Sequence, residues 1–544
     1  MSRTALAALV IALVLVWFGG LGYRKLVRPD EGRYGEIPRE MVASGDWLTP
    51  RVNGYKYFEK PPLQYWTTAA AFSVFGVHEW TTRLWTALMG FFGLLLTYYA
   101  GNRAFGPPVG LYAAAVLAGS VMYALAGHFT TLDMGVSFFL ALAVFAITFA
   151  QLDSTGDRER RRWMLAAWAA MALAVLSKGL IGIVLPASAI AIYVAWQRDW
   201  RLLRRLNVGP GITLFLAIAA PWFVAVSIAN PEFARFFFIH EHLDRFLTKQ
   251  HGRSQPIWYF VPVLLGGILP WLPVLPVAIW RARVDTGPAH FNPSRFLLVW
   301  CAVVFVFFSV SGSKLPGYIL PIFPALAVLI AVQLPRLPRA FTLSLYAFNA
   351  ICGGIVLWLA LHPALLPVEG PYVAFVGMYV PWIAAAGGLL AVLALAALWF
   401  ARRGHALSSV IALAAGSLGF AQLLLLGQET VTPLRSAYHI VEMARPALKP
   451  DAPFFAVDLY DHTLPFYLGR TITMVAYRDE LTMPIDWEPK AFLPDLPAFA
   501  AAWSREREAC AAFVPGDFEK LRGELGVEAR VVASGPRYLI ACKP

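Results

Sequence analysis

The sequence predicts a polytopic α-helical membrane protein of about 13 spans, followed by a small soluble α/β domain. Three observations predict this. Of 544 residues, 58% are hydrophobic and only 14% charged, a balance that suits a lipid-solvated bundle rather than one soluble core. Apolar stretches near the ~20 residues needed to cross a bilayer recur along the first four-fifths of the chain. From about residue 427 the composition turns polar, and short β-branched and aromatic runs alternate with helical ones. The chain therefore divides into residues 1–426 and 427–544.

The apolar stretches lie at about 5–22, 81–103, 107–126, 134–151, 163–177, 180–196, 208–228, 257–280, 294–311, 318–334, 341–361, 374–400 and 406–426. The first, "MSRTALAALVIALVLVWFGGLG", resembles a signal peptide, but no small-residue cleavage site follows it, so it reads as a retained span. Residues 31–44 and 61–77 are too interrupted by charge or proline to cross, and are expected to lie in the interface within a first loop of about 23–80. Orientation follows from arginine. With the N-terminus inside, six loops ("NRAFG", "DRERRRW", "RDWRLLRR", "RAR", "PRLPR" and "ARR") face the cytoplasm and hold nearly all the unmatched arginine. The net charge of +12 is thus a topology signal; no basic run interleaved with aromatics calls for nucleic acid.

An odd number of spans puts 427–544 outside. There "FFAVDLY" (454–460), "TITMVAY" (471–477) and "ACAAFVP" (509–515) read as buried strands, 496–507 and 516–525 as helices, and "ARVVASGPRYLIACK" as a closing hairpin. Cys301 and Cys352 fall within apolar runs and read as core thiols. Cys510 and Cys542 lie in the polar segment, where an oxidising compartment would permit a disulfide.

The outer loops collect a different chemistry: "RPDEGRYGEIPRE" (28–40), "FEKPP" (58–62), "HFTTLD" (128–133), "SKG" (177–179), the long segment 230–256 and "SGSKLPGY" (311–318). An enzyme on that face has no nucleotide sugar, so a transferred group must arrive activated, and a lipid phosphate can bring it. Such a site needs cations for the departing phosphate, a carboxylate near the reacting carbon and an amphipathic cavity. Asp30 is either the cap of a helix or a carboxylate facing a sugar, with Arg33 and Tyr34 on the same helix. Asp133 is either the cap of the span from Met134 or a functional acid at membrane depth. Lys60, before Pro61, is placed for a phosphate at a helix start. In "IHEHLDRF" (239–246), helical spacing would put His242 and Glu241 on the same face as Arg245, whose fork suits a phosphate. His240 with Glu59 is a candidate pair for a divalent cation, zinc or magnesium, weighed against a merely solvated histidine. Lys178 and Lys314 read as snorkelling anchors or as cations at span breaks opening on the cavity.

Taken together, "RPDEGRYGEIPREMVASGDWLTPRVNGYKYFEKPPLQYW", "IHEHLDRFLTKQHGRSQPIWYF" and "SGSKLPGYILPIFPALA" resemble the aminoarabinose transferases of lipid A, within the protein O-mannosyltransferase-like superfamily of the GT-C fold. The resemblance covers most of 1–335; beyond that it rests on layout. It implies a glycosyltransferase of the bacterial inner membrane, working as a monomer. Its periplasmic site would move 4-amino-4-deoxy-L-arabinose from undecaprenyl phosphate to lipid A phosphates, giving polymyxin resistance. It also implies that Asp30 and Asp133 line the sugar cavity with Arg33, Tyr34 and Glu59, that Lys60 and Arg245 hold the carrier phosphate, and that Tyr318 closes over sugar or phosphate. No required cofactor follows. A related transferase with a hydroxyl acceptor would use the same residue types. A flippase of lipid-linked sugars would need charges on both faces and an internal repeat, and the sequence has no such repeat. An O-antigen ligase-like enzyme leaves the "DEGRYGEIPRE" helix without a purpose.

Overall fold

A computed structural model describes residues 3–244, 255–284, 290–365, 368–489, 492–524 and 526–544. Among the described residues, eight helices are long and apolar enough to cross a membrane: Glu79–Phe105, Leu132–Gln151, Val208–Ala229, Pro293–Val310, Pro316–Arg336, Arg339–Leu361, Gly370–Arg402 and Ala406–Leu434. Phe260–Gly267 with Leu272–Val284 makes a ninth only as a pair bent by 114°. Every expected span has a helical counterpart, but the count of 13 is not established. Arg3–Phe18, Val109–Gly119 and Ile181–Gln197 are short, and Asp157–Lys178 begins with a charged turn. The stretch expected at 107–126 is two helices, because the chain becomes extended at Ser120 before Val121–Ala126.

The bundle is organised around Leu132–Gln151, nearly all of whose residues are buried. Its N-terminus is capped by Thr131, whose hydroxyl accepts from the Asp133 amide at 3.4 Å. Asp133 is therefore not the cap, and its carboxylate serves elsewhere. Asp30 likewise does not cap: the helix Asp30–Ser44 starts after Pro29, and no side chain caps it. The second interfacial stretch forms Leu63–Phe75. Residues Arg235–Asp244 form a π-helix, and the pairing expected of Glu241 and His242 with Arg245 lies outside the described residues.

The C-terminal domain carries a six-stranded sheet in the order Phe492–Leu493, Thr473–Val475, Phe454–Val457, Cys510–Phe513, Leu539–Cys542, Arg530–Ser534. The first four strands are parallel and the last two form the expected antiparallel hairpin. Cys510 lies opposite Cys542 in register, and the two form a disulfide. Leu496–Arg505 and Pro515–Glu524 cover one face through Phe499, Trp503, Phe518 and Leu521. The other face packs Ala456, Met474, Ala512 and Ile540 into a shared core with Ile37 and Met41 of the Asp30–Ser44 helix. The domain thus sits directly on the first loop.

Candidate active site

The helix Asp30–Ser44 exists because its charged face has partners on both sides. Arg33 is 4% exposed and would be costly to bury alone. Its guanidinium donates to Glu480 at 2.5 Å and reaches Asp30 at 3.5 Å. His462 Nε2 lies 3.4 Å from Arg33 and 2.6 Å from Glu480. Tyr34 and Tyr57 place their rings 5.8 and 5.7 Å from the same guanidinium. Glu480 and His462 belong to the C-terminal domain, so that domain completes this corner of the site.

Tyr34 is where the acidic residues converge. Burial drives its hydroxyl above the ordinary tyrosine range, and the charge of Asp30, then of Glu59 and Asp133, acts in the same direction. It therefore stays protonated and can donate. Burial likewise raises Tyr57 and Tyr65. Both hydroxyls, the Gln64 amide and Arg33 Nε are buried without a protein hydrogen-bond partner among the described residues. Buried polar atoms are normally satisfied, so this group is suited to a polyhydroxylated ligand.

Two further groupings border the first. Lys60 Nζ donates to Glu241 at 3.0 Å and to the Glu59 carbonyl at 2.7 Å, with the Glu59 carboxylate 3.9 Å away. Asp133 is ion-paired with Lys178, whose ammonium sits 4.6 Å over the Tyr318 ring. Gly317 permits this approach, since a Cβ there would fall 2.3 Å from Asp133 Oδ2. Lys178 is thus a cation paired with a carboxylate at this end of the bundle. Lys314 is buried and donates to the Ser311 carbonyl at 2.6 Å, holding the turn that leads into Tyr318.

Asp30, Arg33, Tyr34, Glu59, Lys60, Asp133, Lys178 and Tyr318 are therefore brought to one end of the bundle. Arg245 lies outside the described residues, as does the side chain of His242. His240 stacks on Phe236 at 5.2 Å. Among the described residues no group of three or more His, Cys, Asp or Glu is placed to hold a metal ion. Sequence reasoning missed Glu480 and His462, which carry no local motif, and Arg83, which fell inside an apolar run. In the sequence Glu241 stands out only as a helical neighbour of Arg245.

This architecture, a helical bundle with charged loops at one end and an α/β domain seated on them, defines a multi-pass membrane protein of the GT-C fold class. Residues 1–237 match the family model "Dolichyl-phosphate-mannose-protein mannosyltransferase" and residues 440–543 match "Aminoarabinose transferase C-terminal domain". The structure of ArnT from Cupriavidus metallidurans bound to undecaprenyl phosphate superposes with a TM-score of 0.94 at 37% identity, over 100% of this chain and 98% of that one. Its apo state gives 0.92 at 38%, over 99% and 98%. The chain belongs to the aminoarabinose transferase family. It is also similar to undecaprenyl phosphate-alpha-4-amino-4-deoxy-L-arabinose arabinosyl transferases. The one from Pseudomonas paraeruginosa is 33% identical over 376 residues, 68% of this chain and 67% of the relative. Transferase 2 of Pseudomonas fluorescens Pf-5 is 35% identical over 339 residues, 61% of this chain and 57% of the relative. The aligned stretch thus spans little more than half the length of that last protein.

Proposed function

We propose that this protein is a glycosyltransferase of the bacterial inner membrane that acts on its periplasmic face as a monomer. It moves 4-amino-4-deoxy-L-arabinose from undecaprenyl phosphate to a lipid A phosphate, and so lowers the negative charge that polymyxin and cationic peptides bind. The observation that carries the reading is the convergence of Asp30, Glu59 and Asp133 on Tyr34, beside the cations Arg33, Lys60 and Lys178. The names of the similar transferases support the donor and the sugar.

The reaction is a direct displacement at the anomeric carbon. Lys60, helped by Arg245, takes up the charge of the departing undecaprenyl phosphate. To do so Lys60 exchanges Glu241 for the phosphate oxygens. The orphaned hydroxyls of Tyr57 and Tyr65 and the Gln64 amide hydrogen-bond the sugar, and Tyr318 covers it. The acceptor phosphomonoester has a second pKa of ~6 and is mostly ionised at neutral pH. Its oxygen needs little help from a base, so Asp30 and Asp133 orient the acceptor and stabilise positive charge on the ring.

The match of residues 1–237 to the mannosyltransferase model favours a second reading, in which the acceptor is a hydroxyl. Proton removal would then be essential. For a phosphate acceptor, Asp30→Asn should lower kcat on lipid A by roughly thirtyfold with donor binding intact. A loss of ~1000-fold or more, the scale of a missing general base, would favour the hydroxyl reading.

A further inference from the structure

Next to the site, and outside every role given above, lies an ion pair with no solvent access at all. Glu31 and Arg83 are each 0% exposed. Arg83 Nε and Nη2 meet the two carboxylate oxygens at 2.8 Å each. Its remaining hydrogens go to the carbonyls of Leu21, Arg24 and Lys25 at 2.8, 2.6 and 3.1 Å. Glu31 in turn accepts the Thr130 amide on Oε1 at 3.2 Å and the Val27 amide on Oε2 at 3.3 Å. One carboxylate and one guanidinium therefore tie three separate pieces of chain: the exit of the first helix, the start of Glu79–Phe105, and the loop leading to Leu132–Gln151.

Two of those ties fall beside acidic site residues. Asp30 precedes Glu31, and the turn that presents it is pinned by the Val27 amide on Glu31 and by the Gly32 amide on the Val27 carbonyl at 3.3 Å. Thr130 stands three residues before Asp133, and its hydroxyl is held by the Thr82 carbonyl at 3.3 Å, next to Arg83. A displacement near 1 Å at reacting groups costs on the order of 100-fold in rate. A buried pair, in contrast, often gives no more stability than an apolar replacement. The expense of burying this one is explained by geometry.

We infer that Glu31 and Arg83 are positioning residues that fix Asp30 against the Thr130–Asp133 loop, and so set the orientation of sugar and acceptor without touching either. The inference rests on the reading of Asp30 as a residue facing the reacting sugar.

The test is a cycle of Glu31→Asp and Asp30→Asn in the purified full-length protein, with kcat and donor KM measured for each variant and the double variant. Glu31→Asp keeps the charge opposite Arg83 but withdraws the carboxylate by one methylene. It should lower kcat about tenfold, leave donor KM within about threefold, and add no more than about twofold once Asp30 is already Asn. Independent, multiplying losses would overturn the inference, as would an unchanged kcat or a loss confined to donor KM. If Glu31→Asp does not fold, Arg83→Lys runs the same cycle; failure of both to fold makes the pair purely structural and also overturns it. Asp30→Asn indistinguishable from wild type would instead sink the reading of Asp30, a separate outcome.

Discussion

Glu31 and Glu40 stand on one helix and are both buried, yet their carboxyls are driven in opposite directions. Burial alone would raise Glu31, but the Arg83 guanidinium outweighs it and holds the group below the ordinary carboxylate range. At Glu40, burial and then the neighbouring Glu36 carboxylate act together, and the group lies well above that range. A carboxyl raised on folding binds its proton more tightly in the native state. Its contribution is complete below the unfolded value of ~4.3 and is lost as pH rises through the raised one. Glu40→Gln keeps the neutral form and its acceptor for the Gly54 amide. The wild-type Tm in detergent should therefore fall as pH is raised above the carboxylate range, and the Glu40→Gln variant should fall less; parallel curves would show that Glu40 is charged throughout. Among single residues, the sequence exposed those that cluster in charged loops, Asp30, Arg33, Glu59 and Lys60. It concealed Arg83 inside an apolar run, because a lone arginine there has no visible partner until the chain folds.

At the scale of elements, the Asp30–Ser44 helix is the piece that joins bundle, site and C-terminal domain. Its backbone comes close to the domain at Gly32, where a Cβ would fall 2.6 Å from the His462 carbonyl carbon and 2.7 Å from Thr463 Cγ2. Gly32→Ala should push the helix away from the segment that carries His462, and with it loosen the Arg33–Glu480 bond. Overpacking of this kind costs about 1–3 kcal/mol. A lower Tm is expected, with activity reduced more than in Gly354→Ala, a helical position where a Cβ would meet no atom within 4 Å; an unchanged Tm would show that the two elements separate freely. Both interfacial helices were legible, because charge and proline interrupt an otherwise apolar run. The breaks at Ser120 and after Gly267 were not, since hydropathy measures composition and is blind to a bend. The π-helix at Arg235–Asp244 was not legible, because sequence spacing assumes 3.6 residues per turn.

For the whole molecule, five of the six strands of the C-terminal sheet were readable from alternation, Phe492–Leu493 being too short to show, and the Cys510–Cys542 bridge that the sequence permits joins two neighbouring strands. That the domain shares a core with the first loop was not readable. Its contacts, such as the Asn53 amide nitrogen on the Ile472 carbonyl at 3.0 Å and Arg51 on Glu488 at 2.7 Å, join residues more than 400 positions apart. The domain thereby borders the candidate site rather than standing apart from it, and the proposed function has a lipid-borne sugar phosphate gripped by the acidic and cationic side chains gathered there. The most direct measurement of that claim is mass spectrometry of lipid A from cells that make the undecaprenyl phosphate-linked aminopentose, carrying either this protein or its Lys60→Ala variant. Wild type should add the mass of one aminopentose to lipid A, and the variant should do so at least tenfold less, as loss of a charged contact worth ~2 kcal/mol requires. Unmodified lipid A with the wild-type protein, or full modification with Lys60→Ala, would contradict it.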